Sequence, residues 1–185
     1  TLRTVFDRSD KGSLTAGNSS PLTDGAAGLW VCDSIGLEKL DSSYAVEFVD
    51  WEIAAMDHKD EGILMAPARA MPRLLARNNL KLNDIALFEI HEAFAAQVLA
   101  NVKAITDPTY RKEKAKVDTD LGDFPWERWN PNGGSLAIGH PFGATGARIL
   151  SQAAKELSEH PSGSYAIVSI CADGAQGTVA LLRRP

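Results

Sequence analysis

Five runs along the chain combine apolar positions with β-branched or aromatic residues, and each predicts a strand. The first two runs cover residues 26–34 and 45–55. The run at 84–90 is short and almost wholly apolar, which is typical of a strand buried in a central sheet. Residues 164–171 and 177–184 supply the last two predicted strands, and a short polar turn joins them.

Three other segments show the spacing of amphipathic helices. The first, residues 67–79, begins near Pro67, and Pro72 must lie in its first turns or kink it. The second covers residues 91–106, and Glu92 favours its first turn electrostatically. Its periodic apolar positions are Phe94, Val98, Val102 and Ile105. The third covers residues 144–159, with the periodic positions Ala147, Leu150, Ala154 and Leu157.

This alternation of strands and helices predicts an α/β fold, with a mixed five-stranded sheet and helices on both faces. The helix at 91–106 is apolar over a wide arc, so we expect it to be the more buried helix. Residues 107–132 are charged, contain Pro and Trp, and have no clean period. We therefore expect them to run over the surface.

The composition narrows the class of protein. The chain has 185 residues, of which 44% are apolar and 23% charged, as in an ordinary globular domain. Its net charge of −5 argues against a general nucleic-acid or anionic-membrane surface. No apolar run approaches the ~20 residues of a membrane span. Two cysteines are too few for a disulfide scaffold, which favours a reducing compartment.

Three polar side chains lie at junctions between predicted elements, where α/β folds place their sites. His91 follows a strand, His140 lies in the glycine-rich segment 133–146, and Cys171 ends a strand. Each also has a structural reading, because such histidines often cap or pack and such a cysteine is often a small buried hydrophobe. A phosphate cradle is weakly supported, since the segment lacks a Walker lysine. A metal site is poorly supported, since the three residues have no nearby ligand partners.

Four segments resemble the thiolase family in their order and spacing. They read TAGNSSPLTDGAA (15–27), HEAFA (91–95), NPNGGSLAIGHPFGATG (130–146) and CADGAQG (171–177). His91 stands where many thiolases carry asparagine, which resembles the fatty-acid-degrading branch related to the trifunctional-enzyme β subunit. The resemblance covers only the second half of a thiolase. It implies a lead-in segment at 1–25 and a thiolase carboxyl-terminal domain at 26–185, so we expect the chain to be part of something longer.

The resemblance implies an acetyl-CoA C-acyltransferase. Such thiolases cleave a 3-ketoacyl-CoA with CoA to acetyl-CoA and a shortened acyl-CoA, or run the reverse condensation. CoA is then a substrate, and neither a metal nor another cofactor is implied. The chemistry uses two cysteines, a nucleophile that carries the acyl group and an acid/base that exchanges a proton with the acetyl carbon.

The catalytic roles transfer by motif. Cys171 matches the acid/base, and we expect dipoles and imidazole near it to tune its pKa toward neutrality. His140 matches the histidine that activates the nucleophile and donates to the thioester oxygen. His91 replaces the asparagine of the oxyanion hole, and a neutral imidazole can make the same donation. The backbone N–H of Asp173 matches the donor of a second oxyanion hole.

The substrate contacts also transfer by motif. Ser20 matches a serine that contacts the pantetheine arm of CoA. The full set of expected substrate-binding residues is Ser20, Gly139, Phe142 and Gly174.

Two departures from the family pattern bear on activity. The usual Cys-x-Gly-x-Gly pattern has Asp173 and Ala175 at its two glycine positions. A positive φ at Asp173 would be strained, and its carboxylate would repel an oxyanion unless it points away. The second departure is that no cysteine of this chain matches the nucleophile, because Cys32 lies in a predicted strand and is expected to pack in the core. The chain is therefore expected to be inactive alone.

Two functions remain open: half of a thiolase, as a fragment or a split subunit, and a noncatalytic thiolase-like module that binds acyl-CoA or a partner. The presence of His91, His140 and Cys171 favours the enzyme, and Asp173 favours the module. The expected partners are CoA and acyl-CoA, an amino-terminal thiolase half, a second copy of the chain and a hydratase/dehydrogenase subunit. The expected compartment is the cytoplasm of a bacterium, or the mitochondrion or peroxisome of a eukaryote.

Overall fold

The computed structural model describes residues 2–40 and 42–185. The strands are β1 (Glu47–Ala55), β2 (Ile85–Ile90), β3 (Tyr165–Ala172) and β4 (Gln176–Arg183). The α-helices are α1 (Ser34–Leu37), α2 (His58–Glu61), α3 (Pro67–Arg77), α4 (Ala95–Thr106), α5 (Pro108–Tyr110), α6 (Ser135–Ile138) and α7 (Thr145–Leu157). Short 3-10 segments lie at Ala16–Asn18, Leu82–Asp84 and Trp126–Arg128, and a π-helical turn at Arg111–Ala115. None of these helices is long and apolar enough to cross a membrane.

The four strands form one mixed sheet in the order β1-β4-β3-β2. β4 pairs antiparallel with both β1 and β3, and β2 pairs parallel with β3. Ile90 lies opposite Ser169, so the carboxyl ends of β2 and β3 meet at the same edge of the sheet. This edge is where the candidate site lies.

The fifth predicted strand, at residues 26–34, is absent from the described part of the chain. Residues 26–33 are exposed and irregular, and α1 begins at Ser34. Trp30 is 87% exposed and Cys32 is exposed as well, so the expected core packing of Cys32 is wrong. An apolar run becomes a strand only beside a partner backbone, and no described segment pairs with this one.

Helices cover both faces of the sheet, as expected. α3 and α4 pack over one face, in a core that includes Phe88, Ile105 and Ile167. α7 packs over the other face, against β2 and β3. α4 buries six of its twelve residues and α7 four of its thirteen, so the prediction that the former is more buried is confirmed.

The buried stripe of α7 is displaced from the predicted one. Its buried positions are Thr145, Ile149, Ala153 and Leu157. Only Leu157 belongs to both sets, and the predicted Leu150 is half-buried beside the core. Apolar residues on neighbouring positions of a helix define a broad arc, and the contact with β2 and β3 selects the centre of that arc.

Residues 107–132 do not simply run over the surface. Leu121 and Phe124 are buried in the α3–α4 core, and the Phe124 ring lies 4.8 Å from that of Phe88. Arg111 is also buried, and it donates to the Ile105 and Thr106 carbonyls. The charged side chains between these anchors remain exposed, which is why the averaged composition suggested a surface segment.

Candidate active site

Asn130 fixes the end of β2 just before His91. The Asn130 Nδ2 donates to the Ile90 carbonyl and its Oδ1 accepts from the Ile90 N–H, both at 2.8 Å. The side-chain amide thereby satisfies both backbone groups of Ile90 on the side that faces no further strand. On the other side the His91 N–H donates to the Ser169 carbonyl at 2.8 Å. His91 therefore leaves the sheet from a fully hydrogen-bonded strand end.

Glu92 connects this strand end to the glycine-rich segment. Its carboxylate accepts from Asn130 Nδ2 at 2.7 Å and from the Leu136 N–H, in the first turn of α6, at 3.1 Å. A Cβ at Gly134 would lie 2.6 Å from the Glu92 carboxyl carbon, so glycine is required for this approach. Glu92 thus binds the amino end of α6; the prediction that it lies in the first turn of α4, which begins at Ala95, is wrong.

The glycine-rich segment presents His140. α6 ends at Ile138, and the next residue, Gly139, has a φ of 102°; a Cβ there would collide with the Thr23 side chain. The turn carries His140 back against the lead-in segment, where its N–H donates to the Pro21 carbonyl at 3.2 Å. The glycines therefore serve a tight turn and close backbone contacts.

The rings of His91 and His140 are in contact, with their centroids 4.1 Å apart. His91 is buried, and its Nδ1 lies 3.0 Å from Ser135 Oγ. Its Nε2 is also buried and has no hydrogen-bond partner in the described residues. Burial, with the positive fields of His140 and Arg148, lowers the pKa of His91 to about 3. His91 is therefore neutral at physiological pH.

His140 is hydrogen-bonded through Nδ1 to Thr145 Oγ1 at 2.7 Å. The Thr145 hydroxyl donates to the Pro141 carbonyl at 3.3 Å, so its oxygen accepts from His140. This leaves the lone pair on Nε2 of His140. Burial and Arg148 lower the pKa of His140 as well, which favours the neutral ring. A neutral imidazole with a free Nε2 lone pair can accept a proton from a thiol.

Cys171 lies at the carboxyl end of β3, one residue beyond the position opposite His91. That register places the two Cα atoms roughly 6 Å apart, from the spacing of strands and residues. The thiol is buried, and burial raises its pKa to about 11, in the opposite direction to the expected tuning. Within residues 2–40 and 42–185, no hydrogen bond joins the thiol to either imidazole. Cys171 is therefore a protonated thiol at neutral pH.

In the turn after Cys171, the two residues that follow Asp173 have positive φ angles. They fall at Gly174 (80°) and Ala175 (58°), so the anticipated strain at Asp173 occurs instead at Ala175. Asp173 is exposed, and its carboxylate accepts from the Gly174 N–H at 2.8 Å. The negative charge is thus held within the turn.

The expected substrate-binding residues lie in different surroundings. An open cleft of about 240 Å³ is lined by Leu22, Thr23, Asp24, His140 and Phe142. Phe142 is 75% exposed, and its ring lies 4.6 Å from that of His140. Gly139 packs behind this cleft against Thr23, whereas Gly174 belongs to the β3–β4 turn. Ser20 is half-buried, and its N–H donates to the Ala93 carbonyl at 2.9 Å.

A family profile described as "Thiolase, C-terminal domain" matches residues 43–184. The chain belongs to the thiolase family. A 3-ketoacyl-CoA thiolase of Shewanella amazonensis is 40% identical over 181 residues, which are 98% of this chain and 41% of that thiolase. The mitochondrial trifunctional enzyme subunit beta of Mus musculus is 40% identical over 169 residues, which are 90% of this chain and 34% of the mouse subunit.

A solved thiolase structure has the same fold. The human mitochondrial 3-ketoacyl-CoA thiolase in complex with CoA superimposes with a TM-score of 0.74 at 26% identity. The match covers 100% of this chain and 41% of the human one. The chain thus spans about two fifths of the length of the thiolases that it matches.

Four residues of this site were not predicted from the sequence: Asn130, Ser135, Thr145 and Arg148. The first three lie inside the quoted segment 130–146, and Arg148 follows it by two residues. Asparagine is one of the residue types that tolerate a left-handed backbone, and Asn130 has a φ of 43°. Its residue type was the one local sign in the sequence of a turn at this position. The other three act through hydrogen bonds that span 5 to 44 positions, which no periodicity reveals.

Proposed function

We propose that this chain forms the carboxyl-terminal half of a 3-ketoacyl-CoA thiolase. The observation that carries the proposal is the contact between two neutral imidazoles, His91 and His140, beside an open cleft at the edge of the sheet. Burial lowers the pKa of both rings and favours their neutral forms, so that His140 can accept a proton while His91 donates from a single nitrogen. The relatives at 40% identity support the reaction class.

In the proposed thiolysis, a cysteine outside this chain is the nucleophile. His140 Nε2 accepts its proton, and the thiolate attacks the keto carbon of the substrate. Nε2–H of His91 stabilises the negative oxygen that forms. The bond between C2 and C3 then breaks, and Cys171 gives its proton to C2, which releases acetyl-CoA. The thiol of CoA next passes its proton to the Cys171 thiolate and attacks the acyl-enzyme. The nucleophilic cysteine leaves as a thiolate and takes its proton back from His140, and the shortened acyl-CoA is released.

The protonated Cys171 suits the acid step. Because burial raises its pKa to about 11, the thiol holds its proton until the acetyl carbanion develops beside it. The Asp173 backbone N–H is the proposed donor of the second oxyanion hole. The Asp173 carboxylate accepts a hydrogen bond from the Gly174 N–H, which offsets part of its negative charge.

CoA is the proposed substrate, and no other cofactor is required. Phe142 borders the cleft beside His140, and Gly139 packs against Thr23 of its lining. Both would contact the acyl-CoA, with Ser20 on the pantetheine arm and Gly174 near the reacting carbons. The human relative is described in complex with CoA, which supports this ligand.

The proposed partners are an amino-terminal thiolase half and a second copy of the chain. Apolar side chains are exposed on β1 and on α4, among them Trp51, Ile53 and Leu99, and such surfaces favour association. The mouse relative is a subunit of a trifunctional enzyme, which supports a hydratase/dehydrogenase partner. A eukaryotic source would place the protein in the mitochondrion or peroxisome, and a bacterial source in the cytoplasm.

The test is reconstitution. The 185-residue chain alone should give no thiolysis, and adding the amino-terminal half of the Shewanella amazonensis thiolase should give turnover. Acyl-enzyme is followed by intact mass and acetyl-CoA release by a coupled assay. Activity of the isolated chain would refute the proposal. Binding of CoA to both halves together without any turnover would favour the noncatalytic module.

Two variants separate the roles in the reconstituted enzyme. His140→Ala should abolish acylation of the nucleophile, because nothing removes its proton. Cys171→Ala should stop carbon–carbon cleavage and still allow the nucleophile to be acylated by an acyl-CoA. Near-normal thiolysis by Cys171→Ala would show that its assigned role is wrong.

A further inference from the structure

Arg148 determines the direction of the hydrogen bonds around His91. Its Nη2 donates to Ser135 Oγ at 3.1 Å, and its Nη1 donates to Gln152 Oε1 at 3.2 Å. A guanidinium can only donate, so the oxygen of Ser135 must accept at this contact. The Gln152 amide is oriented the same way, because its Nε2 donates to Glu156 Oε1 at 3.0 Å.

The hydroxyl of Ser135 has one proton, and one acceptor lies within its reach. The residue is fully buried at the amino end of α6. In the described ranges its only other side-chain neighbour at hydrogen-bond distance is His91 Nδ1, at 3.0 Å. A buried hydroxyl proton without an acceptor is unfavourable, so Ser135 donates to His91 Nδ1. That nitrogen therefore carries no proton.

We propose that Ser135 and Arg148 are positioning residues that hold His91 as the neutral Nε2–H tautomer. In the Nδ1–H tautomer, both Arg148 and His91 would donate to the Ser135 oxygen. The Ser135 proton would then have no acceptor. Nε2 has no partner among the described residues in either tautomer, so the contacts at Ser135 decide between the two. The positive charge of Arg148 also disfavours the imidazolium.

The consequence is that His91 presents one oriented donor beside His140. Only the identity of the oxygen that receives this donation rests on the proposed function. The tautomer follows from the hydrogen bonds of the chain itself and can be measured without turnover. Ser135→Thr, which keeps the hydroxyl, is the matched control for Ser135→Ala.

The experiment is nitrogen NMR on the full chain labelled with 15N-histidine, at pH 7. The two-bond correlation pattern distinguishes the Nε2–H and Nδ1–H tautomers and the imidazolium. For His91 we expect the Nε2–H pattern in the wild type and in Ser135→Thr, and a mixture of both tautomers in Ser135→Ala. His140, whose Nδ1 donates to Thr145, should give the Nδ1–H pattern in all three proteins and so serves as internal control.

Two results would overturn the proposal. An Nδ1–H or imidazolium pattern for His91 in the wild type refutes it, even if no variant folds. A His91 spectrum unchanged by Ser135→Ala refutes the role of Ser135. In a reconstituted thiolase, Ser135→Ala should lower kcat about tenfold with KM unchanged, since the donor is misoriented and substrate contacts persist. A failed reconstitution with the expected tautomer would count against the proposed function alone.

Discussion

Thr145 Oγ1 lies 2.7 Å from Nδ1 of His140, whose ring contacts the ring of His91. The two rings carry their protons on different nitrogens. His140 donates from Nδ1 and keeps its Nε2 lone pair. His91 accepts at Nδ1 from Ser135 and keeps its Nε2 proton. One pair of rings thus offers an acceptor and a donor side by side.

Replacing Thr145 tests the acceptor. Thr145→Val has the same shape but removes the hydroxyl, so it should free the His140 ring to change tautomer. One such hydrogen bond is worth about 1 kcal/mol, which predicts at least a roughly fivefold slower acylation in the reconstituted enzyme. Thr145→Ser should restore the rate. Equal rates for the Val and Ser variants would show that the hydroxyl does not set the tautomer.

The burial of His91 predicts a loss of stability in acid. Its pKa is about 3 in the fold, against an ordinary value of about 6.5. The unfolded chain therefore takes up a proton below pH 6.5 that the folded chain refuses. Protonation of His91 therefore leaves the free energy of unfolding unchanged above pH 6.5, and it lowers that free energy by about 1.4 kcal/mol per pH unit as the pH decreases toward 3. Urea unfolding at pH 7.5 and 5.0 should show a smaller decrease for His91→Asn than for the wild type.

Glu89 predicts the opposite dependence. Burial and the nearby Glu156 carboxylate raise its pKa to about 9, so the folded chain retains a proton that the unfolded chain loses above about pH 4.5. The free energy of unfolding should therefore decline between pH 4.5 and 9. Glu89→Gln removes this decline and should be more stable than the wild type by roughly 4 kcal/mol at pH 7.5, from about 1.4 kcal/mol for each of the three pH units above 4.5. The two proteins should converge near pH 4, and the exposed Glu113→Gln is the control.

Local pattern predicted the strand β2 almost to the residue, because a run of apolar side chains that is buried along nearly its whole length carries its own signal, even though β2 lies at the edge of the sheet. The same reasoning failed at residues 26–34, because the pattern shows apolar character but not whether a partner backbone lies alongside. His91 and His140 were found as polar residues at element junctions, and family motifs supplied their expected roles. Ser135 and Arg148 were not found, because their role depends on the direction of hydrogen bonds between distant segments.

Ala175 predicts a gain of stability on substitution. Its φ of 58° is strained for a residue with a Cβ, by about 1–2 kcal/mol. Ala175→Gly removes that strain and loses part of the gain to the entropy of the unfolded chain, so we expect a net increase of up to about 1 kcal/mol. Ala175→Val should lower stability, since a β-branched residue tolerates this backbone least. Urea midpoints in the reverse order would contradict the assignment of strain.

Glu61 connects α2 to α3 and to the segment after α4. Its carboxylate accepts from Arg69, the Tyr110 hydroxyl and Lys114. Glu61→Ala leaves Arg69 largely uncompensated and should lower the free energy of unfolding by roughly 3 kcal/mol. Tyr110→Phe should lower it by about 1 kcal/mol. The exposed pair of Lys112 and Asp118 supplies the control, because Asp118→Ala should change stability by less than about 1 kcal/mol.

Residues 19–22 form a short ribbon that is bonded to both histidine loops. The Ser20 N–H binds the Ala93 carbonyl beyond His91, and the Pro21 carbonyl accepts from His140. This ribbon lies outside the part of the chain that the family profile matches, which begins at residue 43. A domain cut at the start of that profile match would therefore remove the ribbon that connects the two loops. Because one ribbon contacts both loops, a change in either loop would alter the contacts that hold the other.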